Sequence, residues 1–237
     1  MRKENIYEKK ARKILAYLRA DVRYDTQFMP RPFFVEFTGS PSSGKTTVIT
    51  ELDKFFRRMG FRVWRPQEGA EVIRHIERIT PLYNIRTGLY ALSILIDESV
   101  GHKYDIVIFD RCVFDAYSWM MYWKERGKLQ DEEEQFIQQF FLSHFWIDTI
   151  DVAYIMICDP EEALRRELKI ALSKKLGETT NPETIRTLVD RSKRMYEKLH
   201  PIHAQLSLID TTSLTEKKMV EHIAELTLKV FEEKIAP

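Results

Sequence analysis

This chain of 237 residues is short of several things, and each shortage narrows what it can be. It carries two cysteines, Cys112 and Cys158, with no CxxC and no Cys/His metal spacing beside either. That excludes a disulfide framework and a structural zinc site, and it fits a reduced, cytoplasmic protein. Glycine (8) and proline (9) are too scarce for a fibrous or low-complexity chain. No apolar run reaches the roughly 20 residues of a membrane-spanning helix, and the N-terminus lacks the apolar stretch of a secretory signal. Neither sign of charge prevails, with 37 Lys plus Arg against 36 Asp plus Glu. The molecule as a whole therefore has little pull on a long nucleic acid or an acidic membrane, and any anion must be held locally. What is present, 44% hydrophobic and 31% charged residues, is the composition of a globular protein. The length suits one sizeable α/β domain.

The opening "MRKENIYEKKARKILAYLRADVRY" has helical spacing, with Ile6, Ile14, Leu15 and Leu18 placed to share one side. Acidic residues interrupt its basic ones, unlike a targeting peptide. The expectation is a helical extension over 1–30, packed on a main domain over 31–237. Beyond Pro32 the chain alternates strand-like and helix-like segments. "FFVEFT" (33–38) reads as a first strand, followed by a helix that ends at Gly60. "FRVWRP" (61–66), "YDIVIFD" (104–110), "VAYIMICD" (152–159) and "SLIDTT" (207–212) read as four more, with a terminal helix from about 215 to 234. The continuous apolar run in the third suits a strand buried on both faces of a parallel sheet. The fold class expected is α/β, a doubly wound parallel five-stranded sheet. In "LQDEEEQFIQQFFLSHFW", Phe136, Phe140, Phe141 and Phe145 fall at helical spacing and are assigned to packing.

The first strand runs into Gly39-Ser-Pro-Ser-Ser-Gly44-Lys45-Thr46, which matches G-x-x-x-x-G-K-[ST] at every fixed position. In this P-loop, or Walker A, pattern two glycines let the backbone curl so that successive N–H groups face an anion, and the following helix adds its positive end. Gly39, Ser40, Ser42, Ser43, Gly44, Lys45, Thr46 and Thr47 are the candidate nucleotide-binding residues. Lys45 would neutralise the β- and γ-phosphates of ATP, and Thr46 would place its hydroxyl on Mg²⁺.

The third strand delivers Asp110 and Arg111 to the sheet end where open α/β folds bind ligands. Asp110 is a candidate metal residue, and Arg111 can make a bidentate phosphate contact. An arginine rather than a second acid after the strand-ending Asp disfavours motor-type ATP hydrolysis. No Asn-Lys-x-Asp or DxxG motif marks a GTPase. Phosphoryl transfer to a small acceptor is left.

Four features carry a resemblance to the thymidylate kinase and deoxynucleoside kinase group of P-loop nucleoside and nucleotide kinases. They are the P-loop, an acidic residue after the second strand in "RPQEGAE", the Asp-Arg pair, and a basic helical segment after the fourth strand. The resemblance spans roughly residue 33 to the C-terminus. It implies that Glu68, with Glu71 as the near alternative, draws the proton from the attacking hydroxyl. It also implies that Arg165 and Arg166, followed by Lys169, Lys174 and Lys175, belong to a lid over about 161–185 that closes on the transferring phosphate. In "IDTTS", the residues from Asp210 to Ser213 lie where related kinases border the adenine base with backbone contacts, and Asp210 is the candidate residue there. Two departures put a thymidylate acceptor in doubt: Glu-Gly replaces the usual Glu-Pro, and "LYALSILIDESVGHKYD" offers Asp97 and Glu98 where an arginine is typical. Arg65 and Arg86 remain candidates for an acceptor phosphate.

The expected protein is thus an ATP- and Mg²⁺-dependent phosphotransferase acting on a small hydroxyl or monophosphate acceptor, a nucleoside or nucleotide. The alternatives are a nucleotide-binding interaction module with slow turnover, or a kinase for an unrelated metabolite or a nucleic-acid end. The sequence leaves open whether two copies pair as a homodimer.

Overall fold

A computed structural model describes residues 5–19, 31–170 and 181–235. Five parallel strands form one sheet in the order β2-β3-β1-β4-β5. They are β1 (Phe33–Gly39), β2 (Val63–Trp64), β3 (Ile106–Asp110), β4 (Val152–Ile157) and β5 (Leu206–Asp210). β1 occupies the centre, with Val35 opposite Ile108 on one side and Val152 on the other. β2 keeps two of the six residues expected, because it is an edge strand paired only through Val63 and Trp64.

Helices cover both faces of the sheet, as parallel strands require. On one face Phe33, Val35 and Phe37 pack with α1 (Ile6–Leu18), α2 (Lys45–Arg58) and α10 (Glu216–Ile235). The opposite face of β1, starting at Phe34, packs with α4 (Pro81–Ser99), α5 (Val113–Glu125) and α9 (Pro182–Leu199). The short α3 (Gly69–Val72), α6 (Asp131–Phe141), α7 (His144–Ile147) and α8 (Pro160–Ile170) complete the fold. No helix among the described residues is long and apolar enough to cross a membrane.

α1 opens with a reciprocal cap, Glu8 N–H donating to Asn5 Oδ1 at 2.9 Å and Asn5 N–H to Glu8 Oε2 at 3.0 Å. It joins the core through Ala11 and Ile14, both fully buried, whereas Ile6 is 65% exposed and takes no part. Arg19 then reaches across to Asp105 at 2.6 Å. Burial opposes ionisation of Asp105, but hydrogen bonds from Arg19 and Arg62 hold its carboxyl at about 2.

The phenylalanines expected to pack do not all do so. Phe141 is buried, but Phe136 and Phe145 are 73% and 75% exposed. α6 turns Glu134, Gln138 and Phe141 inward instead, a face held by Lys124 at 3.1 Å from Glu134 and by the Gln138 amide donating to the Tyr117 carbonyl.

Candidate active site

The loop 39–44 joins the central strand to α2, and its curl depends on two glycines. Gly39 has φ +119°, and a Cβ there would lie 2.0 Å from the Met156 carbonyl oxygen of the neighbouring strand. Gly44 has φ +93° and forms the uncapped start of α2. With no side chain capping it, that helix end presents backbone N–H groups to an anion. Ser40 anchors the loop to β4, its N–H donating to Met156 O at 2.9 Å and its Oγ accepting from Cys158 N–H at 3.2 Å. Ser43 Oγ closes the turn on Ser40 O at 2.9 Å. Ser42, at φ +54°, donates its hydroxyl to Glu167 of α8 at 3.0 Å. Thr46 stands exposed at the head of α2, with Thr47 beside it.

Lys45 is folded back onto this loop, Nζ lying 2.6 Å from Ser40 O and 3.3 Å from Gly39 O. Burial pushes its ammonium down to about 8, and Arg111 adds to the effect, while Asp110, Asp115 and Glu68 oppose it. Five charged side chains from three parts of the chain thus share one electrostatic neighbourhood.

At its centre is Arg111, a non-glycine residue at φ +72°, a backbone conformation that must be held by its surroundings. Its N–H donates to Phe37 O at 2.9 Å. Its guanidinium meets Glu68 at 2.8 Å and Asp115 at 3.0 Å, and Asp115 raises the already high pKa of Arg111. Asp115 is itself fixed by the Thr38 hydroxyl at 2.6 Å. Two residues before Thr38, on the same face of β1, the fully buried Glu36 accepts the N–H groups of Cys112 and Asp115 at 2.9 Å each and of Phe114 at 3.3 Å. A carboxyl inside the sheet therefore caps the start of α5, where Cys112 supplies no side-chain cap. Burial pushes Glu36 up to about 8 against the opposing pull of these N–H bonds.

Glu68 does not cap α3, although it stands at its N-cap position. Its carboxylate faces Arg111, and burial raises its pKa, with Arg111 opposing. Glu68, Arg111 and Asp115 line one end of a cavity of about 930 Å³. Its walls include Tyr83, Asn84, Trp119, Tyr122 and Trp123. Asn84 is held by the Trp123 indole N–H at 2.9 Å, and the buried Tyr83 hydroxyl has no partner among the described residues. Glu71, Arg65 and Arg86 are not among the lining residues. Arg65 lies instead against α2, 4.0 Å from Asp53.

The basic helix α8 divides its charges. Arg165 is paired with Glu162 and is largely exposed. Arg166 lies under the turn after β5, donating to the Thr211 carbonyl at 2.6 Å and the Thr211 hydroxyl at 3.1 Å, with Ser42 O at 3.4 Å. The Thr211 hydroxyl also lies 2.9 Å from Ser43 O. Asp210 shapes the same turn by accepting the Thr212 N–H at 2.9 Å. Arg166, Thr211 and Asp210 thus border the P-loop, while the Arg111 group lies with the cavity. Lys174 and Lys175 fall outside the described residues.

The structure brings together Lys45, Glu68, Asp110 and Arg111 and adds Glu36, Thr38, Asp115 and Tyr83, which the sequence did not single out. Asp115 had a signal, four residues after Arg111 and so one helical turn away. Glu36 also stood out as the one charge within an apolar strand. Tyr83 carried none, and Thr211 lay within the "IDTTS" stretch expected to border the base.

No protein-family model matches the chain, and no curated protein sequence does. Solved structures do match. Thymidylate kinase from Candida albicans superposes with a TM-score of 0.56 at 12% identity, covering 85% of this chain and 94% of that one. Deoxyadenosine kinase from M. mycoides, solved with dCMP and dCDP, gives 0.58 at 15% identity, covering 82% and 98%. The chain has the fold of these P-loop nucleotide and nucleoside kinases.

Proposed function

We propose that the protein is a phosphotransferase that moves the γ-phosphoryl group of ATP to an oxygen of a small acceptor of the nucleoside or nucleotide kind. The observation that carries this reading is the junction at Arg111. One guanidinium pairs with Glu68 in the lining of a cavity and lies within electrostatic reach of the P-loop lysine, whose pKa is lowered by burial and further by Arg111. A nucleotide-binding module would need the loop but not a cavity lined by a carboxylate paired with the same arginine.

In this reading the backbone of 39–44 and Lys45 hold the triphosphate, Lys45 leaving its carbonyl partners for the phosphates. The donors suited to Mg²⁺ are hard oxygens, the Thr46 hydroxyl and the Asp110 carboxylate, which fit that ion and leave positions for phosphate and water. The metal would neutralise charge on the β- and γ-phosphates. Asp115, Thr38 and Glu36 hold Arg111 so that its guanidinium meets the charge spreading over the transferring group. The acceptor oxygen forms its bond to the γ-phosphorus as the bond to the β,γ-bridging oxygen breaks, and ADP leaves with the electron pair. Where the acceptor is a hydroxyl, Glu68 takes its proton, a role to which its raised pKa is suited. The turn from Asp210, to which Arg166 is bonded, would border the donor base, and Arg165, in its exposed pair with Glu162, would be placed to turn towards the phosphates.

The test is ATP consumption by the wild type over nucleosides, monophosphates, vitamins and sugars. An acceptor that raises turnover above the ATP-only background, and loses that effect in Glu68→Gln, supports the reading. A rate that no acceptor changes removes it.

A further inference from the structure

The charge lining of the cavity is lopsided. Its two carboxylates, Glu68 and Asp115, are both spent on Arg111. Three more cations line it, Arg78, Arg126 and Lys128, and none of them has an acidic partner among the described residues. They are nonetheless held in place. Arg78 donates to the Ala70 carbonyl at 3.1 Å and lies over the Tyr83 ring at 5.7 Å. Lys128 donates to the Ile79 carbonyl at 2.7 Å and lies over Trp123 at 5.3 Å. Arg126 lies over Tyr122 at 4.5 Å. All three rings belong to the cavity wall. The Lys128 to Ile79 bond also brings the segment after α5 next to Arg78, so cations from two walls converge.

Arg126 and Lys128 lie away from the chemistry, since Arg111 precedes α5, Arg126 follows it, and a 13-residue helix puts about 20 Å between their backbones. Arg78 lies nearer to it, bonded to the Ala70 carbonyl two residues from Glu68. The three side chains are exposed, so water and salt screen part of their mutual repulsion, and an anion seated among them removes the rest. A chain with net charge +1 has no general excess to scatter there. The volume, near the top of the roughly 300–1,000 Å³ range of ligand pockets, has room for an acceptor that extends to them.

We propose that the acceptor carries an anionic group away from its nucleophilic oxygen, a phosphate or carboxylate seated among Arg78, Arg126 and Lys128. The position of the nucleophilic end rests on the kinase reading above; the anion end rests on the lining alone. Two guanidinium groups can each grip such a group in a bidentate fashion, and the aromatic walls leave them little freedom to lose on binding.

Two matched pairs test this: thymidine against thymidine 3′-monophosphate, and uridine against 5-carboxymethyluridine. Each is measured by calorimetric binding in the presence of ADP and by transfer of label from γ-labelled ATP. At least one anionic member should bind about tenfold or more tightly than its neutral partner, and that preference should fall to about twofold or less in R78Q/R126Q/K128Q. The pair that responds tells phosphate from carboxylate. Equal binding within both pairs, no binding by any of the four, or a preference that survives in the triple variant overturns the proposal. Charge-selective binding without label transfer would remove the kinase reading and leave the anion end standing. Transfer to the neutral members without any preference would do the reverse.

Discussion

Replacing Glu36 with glutamine should flatten the pH dependence of stability between about pH 4.5 and 8. The carboxyl is fully buried, and burial raises it from 4.5 to about 8. Between those values the folded chain keeps a proton that the unfolded chain releases. The stability Glu36 contributes is therefore complete below about pH 4.5 and is lost as pH rises through about 8. At about 1.4 kcal/mol per pH unit, the ceiling on that loss is about 5 kcal/mol. Both 2.9 Å bonds, from Cys112 and Asp115, end on Oε1, so a glutamine carbonyl can accept them. Its amide NH₂ would face only the longer Phe114 contact at 3.3 Å. The variant should lose about 1 kcal/mol at pH 5, where wild-type Glu36 is already protonated, and be the more stable protein at pH 8.5. Urea unfolding at pH 5, 6.5 and 8.5, taken as the difference between the two proteins, isolates this group. Asp105, whose contribution is lost as pH falls from about 4 towards 2, is common to both. So is Lys45, whose lowered pKa makes stability rise between about 8 and 10.5. Parallel pH profiles for wild type and variant would refute the reasoning.

Three other substitutions probe separate parts of the site. Glu68→Gln should lower kcat about 10²- to 10⁴-fold for a hydroxyl acceptor while ATP affinity, read by calorimetry, changes little. Tyr83→Phe removes a buried hydroxyl that has no partner among the described residues, so the melting temperature should hold or rise while KM for the acceptor increases; a drop in stability would mean the hydroxyl is already satisfied. Gly39→Ala drives a Cβ to 2.0 Å from the Met156 oxygen between two central strands, and should abolish folded protein as judged by circular dichroism and solubility.

The five strands were legible because parallel strands buried on both faces read as apolar runs, and the P-loop because its chemistry fixes residue types at fixed spacing. Helical spacing told less. It shows which residues share a face but not which face turns inward, so Phe136 and Phe145 were assigned to a core that α6 reaches through Glu134, Gln138 and Phe141. Ile6 failed for a related reason, since α1 is seated by the small Ala11 and by Ile14. The Arg111 junction was half legible. Its two named residues come from a contiguous Asp-Arg pair, but the residues that hold it are spread over β1 and α5. Only the register of the sheet places Glu36 and Thr38 under that turn. The basic run on α8 shows the limit of charge patterns, because Arg165 and Arg166 are adjacent in sequence yet one is largely exposed beside Glu162 and the other is bonded to the Thr211 turn.

The central claim is tested most directly by following the label of γ-labelled ATP in the presence of an acceptor panel that includes nucleosides and nucleotides. The account predicts label covalently bound to an organic acceptor with the wild type, and none with Lys45→Ala. Label that emerges only as inorganic phosphate, or stays on ATP throughout, would contradict it.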